Sequence, residues 1–349
     1  MHNPKVYIIL VNYNGWKDTI ECLESLLKLD YDNFQIVIVD NNSENNSMEK
    51  IKEYLDGCLD FEFNVNPKLK NLVYPLVKKH VPYVYYTKQE AENGNYEAER
   101  GLKNPIILIQ SGHNGGFAFG NNIGIKYALS KNDFEYIWLL NNDTVVDKDA
   151  LAKLAEKAEM YRKQKKKVGI IGSKILTYSD PIVIHTVGMK MNKFLAVAIL
   201  VGEQEKDTGR YDNEVILEKI DSVHGASMFI NKSFIRDVGL MDEKYFLYFE
   251  ELDWCLRGKE KGYSLGYCWK SKVYHKEGSS TFSSKKISKM AIYYGLRNRI
   301  LIAKKYYRKY LFFVFLSSLP LIVLRYLLIH KNFKTKLRRF LMIFSSGSI

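Results

Sequence analysis

The sequence predicts an α/β domain, a mostly parallel sheet with helices on both faces, followed by a basic, apolar helical extension. Three observations carry that prediction. Short β-branched runs alternate with segments of helical spacing, those runs end in small polar side chains, and the cationic excess is confined to residues 285–349. Strand, helix and strand in that order imply right-handed parallel units, whose ligands bind outside the carboxyl ends of the strands. The polar strand ends are therefore the first place to look for a site.

Each element follows in order. "KVYIILVNYN" (Lys5 to Asn14) reads as a strand, "TIECLESLLKL" (Thr19 to Leu29) as a helix and "FQIVIVDNNS" (Phe34 to Ser43) as a second strand. Glu49 to Asn104, charged at "KQEAENGNYEAER", is too long for an ordinary connection and reads as an inserted excursion. "PIILIQSGHNGGFAFGNNIGIKYAL" supplies a third strand, a glycine-rich turn and a helix; "YIWLLNND" is a fourth strand, and "TVVDKDALAKL" turns helical after it. The glycine turn lacks the GxGxxG spacing of a dinucleotide site and the GxxxxGK[ST] of a triphosphate loop, so it is either a plain tight turn or a part of some other nucleotide cradle.

A 46% hydrophobic chain of 349 residues buries a substantial core, which excludes a disordered protein. From Lys285 onward there are fifteen Lys and Arg and no acid; subtracting fifteen from the net +13 leaves −2 for the rest. The tail thus accounts for the charge, and no nucleic-acid recognition module is visible. Within it "LFFVFLSSLPLIVLRYLLI" (Leu311 to Ile329) approaches the ~20 apolar residues that span a bilayer, interrupted by Pro320 and Arg325 and flanked by cations. A buried helical hairpin is the bland alternative; interleaved aromatics and cations favour attachment to an anionic leaflet. "MHNPK" runs straight into the first strand, so no signal peptide is expected and the body is expected in the cytoplasm. Cys22, Cys58, Cys255 and Cys268 form no CxxC pair or zinc spacing, which points to reduced thiols. Nothing bears on oligomeric state.

Asp143, at the end of the fourth strand, has two readings. It caps the following helix, or it offers a carboxylate to a hard cation bridging a diphosphate. "YFEELDWCLR" crowds Glu250, Glu251 and Asp253 beside Arg257, with Asp253 at the i,i+4 spacing of an ion pair to it. His275 ends another β-like run, where a lone histidine is usually a packed or solvated residue. Arg297 and Arg299 either clamp an anion through bidentate contacts or begin the basic surface.

Taken together, "VNYN", "IVIVDNNS", "GHNGGFAFGNNIGI", "WLLNNDT", "GLMDEKYFLYFEELDWCLR" and "VYH" resemble family 2 glycosyltransferases, more narrowly their bacterial rhamnosyltransferase-like and galactofuranosyltransferase-like members. The match covers roughly Val6 to His275 apart from the excursion. It implies the GT-A fold: a catalytic domain over 1–284, with a nucleotide-sugar-binding half (1–150, interrupted at about 49–104) and an acceptor-binding half (151–284), then a membrane-associating tail over 285–349.

The resemblance also implies roles. Asn12, Tyr13, Asp40, Asn114, Gly116 and Asn142 fall where the family holds the nucleotide of the donor; Arg297 and Arg299 either clamp its diphosphate or merely begin the basic surface. "NND" stands at the family's DxD motif with Asn141 in place of the first aspartate, leaving Asp143 as the principal carboxylate for Mn²⁺ or Mg²⁺. His275 aligns with a histidine completing that metal site. Glu251 aligns with the catalytic base; Glu250 positions the acceptor or the loop, and Asp253 stands behind it, paired with Arg257. The implied reaction is inverting transfer from a nucleotide diphosphate sugar to a hydroxyl of a lipid-linked glycan, at the cytoplasmic face of the cell membrane. dTDP-L-rhamnose is the first donor suggested and UDP-galactofuranose or another UDP-hexose the next. A nucleotide-sugar-binding protein that has lost catalysis is the alternative that Asn141 leaves open.

Overall fold

The structure, a computed structural model, describes residues 3–94, 96–276 and 289–329, with 289 and 321–329 described by their backbone alone. The described residues divide into two compact units, one comprising those up to Met191 and from Ala198 to 276, the other Asn192–Val197 with 289–329.

In the first unit β1 (Val6–Asn12), α1 (Trp16–Leu26) and β2 (Phe34–Asp40) make the opening parallel pair. Alternate residues of each strand serve opposite faces. Ile8, Leu10, Ile36 and Ile38 enter one core, and Tyr7, Ile9, Val37 and Val39 enter the other. A strand covered on both faces has no polar face to show, which is why these runs are continuously apolar rather than alternating.

The stretch expected as an excursion is largely structured. It holds α2 (Ser47–Leu55), α3 (Lys70–Val73), β3 (Tyr83–Thr87) and α4 (Lys88–Asn93). β3 pairs in parallel with β4 (Ile106–Gln110), itself parallel to β2, so the segment supplies the edge strand of the sheet. Its signal was weak because only Val84 and Tyr86 of β3 are buried, as an edge strand with one covered face requires.

α5 (Gly116–Lys131), β5 (Tyr136–Asn141), β6 (Thr144–Val146) and α6 (Ala150–Lys163) follow. The expectation of helix directly after Asp143 is corrected here: Thr144 to Val146 are β-branched and pair as a strand, and α6 starts only after Asp149, its N-cap residue. Asp143 therefore caps no helix.

β7 (Val168–Thr177), β8 (Ile184–Thr186), β9 (Met189–Asn192), β10 (Val197–Leu200), β11 (Ser227–Asn231), α7 (Lys232–Val238), α8 (Glu250–Glu260) and β12 (Ser264–His275) complete the unit. The main sheet runs β3-β4-β2-β1-β5-β11-β7-β12-β6, with β8 on β7. β11 runs antiparallel to both β5 and β7, so the sheet is mixed rather than wholly parallel. β1 lies between β2 and β5, where successive connections leave in opposite directions and a crevice opens at the strand ends.

In the second unit, α9 (Lys289–Tyr306) and α10 (Leu311–Ile329) gather the tip of the β9–β10 hairpin. Ala196 packs with Ala303 and Val314, and Phe194 lies 4.3 Å from the Phe313 ring. Phe312, Phe315, Leu316 and Leu319 are exposed. Among the described residues no helix is long and apolar enough to cross a membrane.

Candidate functional site

At the carboxyl ends of β1, β2 and β5 one hydrogen-bonded network joins three loops. Asn12 donates through Nδ2 to Asp40 Oδ1 (2.6 Å) and Ser43 Oγ (3.1 Å), while its Oδ1 accepts from Gly15 N and Thr19 Oγ1. Asp40, 1% exposed, also accepts from the Ser43 hydroxyl and backbone N–H and from Gln110 Nε2. Asn142 reaches back from the end of β5 to Thr19 Oγ1 at 2.9 Å. Every polar atom of Asp40 is used, so the network is a rigid rim. Tyr13, next in the chain and only partly covered, stands at its edge.

The glycine turn is held to the same rim. Asn41 Nδ2 donates to Asn114 Oδ1 and to the Gly116 carbonyl, both at 3.0 Å. Gly116 has φ +86°, and a Cβ there would stand 2.1 Å from the Phe246 carbonyl oxygen, which accepts from Phe117 N at 2.9 Å. Only glycine fits that approach. The turn thereby ties the rim to the loop before α8.

That loop delivers the carboxylates. Tyr248 (φ +71°) and Phe249 (φ +76°) both adopt the left-handed region, a costly conformation for aromatic residues that clusters at functional sites. Glu250 is 4% exposed, and burial, then the Glu251 charge, pushes its pKa well above the usual carboxylate range. Glu251 is partly covered, yet its Oε2 is buried and accepts no hydrogen bond from a described residue; burial raises its pKa to about 7, backbone N–H groups offsetting part of the effect. The amino end of α8 would by itself favour charged carboxylates, so here desolvation wins over the helix dipole. Asp253, fully buried, instead accepts from Arg257 Nε (2.8 Å) and Tyr245 Oη (3.2 Å) and braces the loop.

The third part lies at the end of β12. Register places His275 opposite Thr144, and Lys276 N donates to the Asp143 carbonyl at 3.0 Å. Two elements far apart in sequence are thus clamped so that His275 Nε2 lies 3.1 Å from Asp143 Oδ1 and 3.3 Å from Asn141 Nδ2. Two further histidines complete the neighbourhood. The His185 ring centroid is 5.3 Å from that of His275, and the His224 centroid is 5.1 Å from His185 and 5.9 Å from His275. Desolvation first, then the neighbouring imidazoles, hold His224 neutral, its pKa well below the usual histidine value.

Asp143 and His275 form a buried oxygen and nitrogen pair that suits a borderline cation such as Mn²⁺. Among the described residues no group of three or more His, Cys, Asp and Glu side chains is posed to hold an ion. Two such side chains would suffice only for a cation whose other positions are filled by phosphate and water.

The fold therefore gathers Asn12, Asp40, Asn114, Gly116 and Asn142 into one rim, and it sets Asp143 against His275. Glu250 and Glu251 join the turn through Phe246. Arg297 and Arg299 lie in the second unit. Arg297 donates to Asn298 Oδ1 at 2.8 Å, and Arg299, 7% exposed, donates to the Leu195 carbonyl at 2.6 Å and to Ser317, so its guanidinium braces that unit. Sequence reasoning missed Ser43, Gln110, His185 and His224. Ser43 stood in the quoted "DNNS"; the two histidines are isolated in "VIHTV" and "SVHGA" and only the tertiary fold brings them together.

Two family profiles match the chain: Glycosyl transferase family 2 over residues 7–72 and Glycosyl transferase family group 2 over residues 136–345. The chain is 24% identical over 233 residues to the low-salt glycan biosynthesis hexosyltransferase Agl10 of Haloferax volcanii, covering 66% of this chain and 71% of that one. Its fold is similar to that of the mannosyltransferase PcManGT from Pyrobaculum calidifontis in complex with GDP-Man and Mn²⁺ (TM-score 0.50, 12% identity, 100% of this chain and 77% of that one). It is also similar to GalNAc-T7 with UDP, GalNAc and Mn²⁺ (TM-score 0.56, 14% identity, 88% of this chain), although it spans only 49% of that protein's length.

Proposed function

The chain belongs to glycosyl transferase family group 2 and is a glycosyltransferase, and from that premise we propose that it transfers a hexose, with inversion, from a nucleotide diphosphate sugar to a hydroxyl of a lipid-linked glycan. One observation carries the reading. Glu251, whose pKa burial raises to about 7, lies beside Gly225, a Cβ there standing 3.9 Å from Glu251 Oε1, and the ring of the preceding His224 is 5.9 Å from that of His275, which pairs with Asp143.

The residues divide the work. The Asn12, Asp40 and Asn142 rim, with the Asn114 to Gly116 turn, holds the nucleotide, and Tyr13 lies against its base. Asp143 and His275 would hold a divalent cation, which when bound would supply charge stabilisation to a diphosphate leaving group. Glu251, deprotonated near neutrality, takes the proton of the acceptor hydroxyl as that oxygen attacks the anomeric carbon. Glu250, kept protonated, adds no competing charge. Solved proteins of similar fold that hold GDP-Man or UDP together with Mn²⁺ support a nucleotide-sugar donor and a divalent cation.

The donor to test first is dTDP-L-rhamnose, ahead of UDP-galactofuranose and other UDP-hexoses. Incubating the protein with a panel of nucleotide sugars, with and without Mn²⁺, tests the reading. Metal-dependent release of a nucleotide diphosphate from one donor supports it, and release from none overturns it.

The lipid-linked acceptor and attachment at the cytoplasmic face of the cell membrane rest on the cationic tail and on exposed Phe312, Phe315, Leu316 and Leu319. α10 lies on the surface in this proposal. Full-length protein should sediment with anionic liposomes through a high-salt wash, and a chain ending at Lys309 should wash off. Full-length protein that stays unbound overturns the attachment.

A further inference from the structure

His224 has no part in the division of work above, and its surroundings define its chemistry. Ala226 N donates to His224 Nδ1 at 3.1 Å, so Nδ1 carries the lone pair. In a neutral imidazole the proton then sits on Nε2. The ring cannot ligate a cation through an N–H and is instead a hydrogen-bond donor, locked in that tautomer by its own backbone two residues on. Among substitutions at residue 226 only proline removes the lock outright, because the donor is a main-chain N–H.

Position supplies the second observation. Gly225 faces Glu251 Oε1, with Phe117 beside it, a Cβ there standing 3.9 and 3.6 Å away respectively. One residue earlier, the His224 ring lies 5.9 Å from that of His275, which contacts Asp143. The His224–Gly225 dipeptide thus borders both the carboxylate that receives the acceptor's proton and the pair that serves the leaving diphosphate. In an in-line displacement the group between those two is the transferred sugar itself. A neutral N–H there adds no charge against the positive character that develops at the anomeric carbon. Donation to the ring oxygen would withdraw the electrons that carbon needs, so the acceptor is a sugar hydroxyl.

Resting on the proposed glycosyl transfer, we infer that His224 is a specificity residue that donates Nε2–H to one hydroxyl of the donor sugar. A site built to hydrogen-bond a hydroxyl discriminates strongly against the sugar that lacks it, because the buried donor is then left unpaired. The occupant is a hexosyl or 6-deoxyhexosyl unit with an oxygen at the position facing residue 224.

The test uses the full-length chain and the donors dTDP-L-rhamnose, UDP-galactofuranose, UDP-glucose, UDP-N-acetylglucosamine and GDP-mannose. In His224→Phe, kcat/KM for the best donor should fall roughly 10²-fold, and its advantage over the next donor should shrink. Binding of the bare nucleotide diphosphate with Mn²⁺ should stay within about threefold, which also reports an intact fold. His224→Gln, which keeps an N–H donor, should recover at least about tenfold of the loss. An unchanged donor ranking in His224→Phe overturns the inference while leaving glycosyl transfer in place. Equal weakening of bare diphosphate binding also overturns it, assigning His224 to the phosphate side. Failure of wild-type protein with every donor overturns the transfer reading and this inference together.

Discussion

The rim at the ends of β1, β2 and β5 and the α8 end of the same unit are built on opposite principles. Around Asp40 each oxygen accepts two hydrogen bonds, and Asn12 uses both ends of its amide. Around Glu250 and Glu251 two oxygens are buried with no hydrogen-bond partner among the described residues, and the chain before them is held in left-handed backbone. A satisfied network is rigid and inert, which suits holding a nucleotide; a desolvated carboxylate is reactive, which suits taking a proton. Under the proposed division of work, the difference makes binding and chemistry in this unit separable by mutation.

The largest expected effect breaks the reactive side alone. Glu251→Gln should lower turnover by roughly 10²-fold or more, the usual scale for a lost general base, with donor affinity changed by less than about threefold. Steady-state kinetics beside calorimetric donor binding checks both numbers. Near-normal turnover would remove Glu251 from the role; Asp253, already spent on Arg257, is a poor replacement.

Asp143→Ala should weaken Mn²⁺-dependent donor binding by at least about tenfold, and more than His275→Ala, since the imidazole carries no net charge. Titrating donor with and without Mn²⁺ measures this. A variant that binds normally with metal would leave the Asp143–His275 contact a purely structural clamp.

On the inert side, Asp40→Asn places an amide N–H against groups that already donate. It should cost about 1–3 kcal/mol of stability and loosen the donor while leaving kcat nearly unchanged. Thermal melting with saturating-donor kinetics decides it; a fall in kcat matching that of Glu251→Gln would end the claim that the two sides are separable.

The smallest effect sharpens the reactive side itself. Glu251 has its pKa raised from 4.5 to about 7 by burial, so activity should rise with pH through about 7 as the base ionises. The sign for stability is opposite. A carboxyl whose folded pKa is raised stabilises the fold while protonated, fully so below its unfolded value, and that contribution is lost as pH rises through the folded one. Glu251→Gln should therefore lack the loss of stability near neutrality. Because burial is the leading cause of the raised Glu251 pKa, Glu250→Gln should move the activity limb by less than about half a unit. A larger shift in the pH profile would make mutual repulsion, rather than desolvation, the tuning force.

The sequence by itself determined the class of the fold and the local character of its parts. Continuous apolar runs such as Val6 to Leu10 can only be strands covered on both faces, and the polar residues that end them mark the crevice, because backbone periodicity and side-chain polarity are local properties. Tertiary structure decided what no local rule reaches. Thr144 to Val146 became a strand because β12 was there to pair with it, and Tyr83 to Thr87 became the sheet's edge because β4 was open. Asp143 met His275 only through the β6–β12 register, and His185 reached the same place from β8 and His224 from a loop, dozens of residues away. The carboxylates were legible as a cluster, but their tuning was not: Glu250, Glu251 and Asp253 share one helix turn, and only burial against or away from Arg257 separates a base near neutrality from a buried ion pair. Proton affinity is set by the dielectric and partners that the fold assembles around a group, and adjacency in the chain specifies neither.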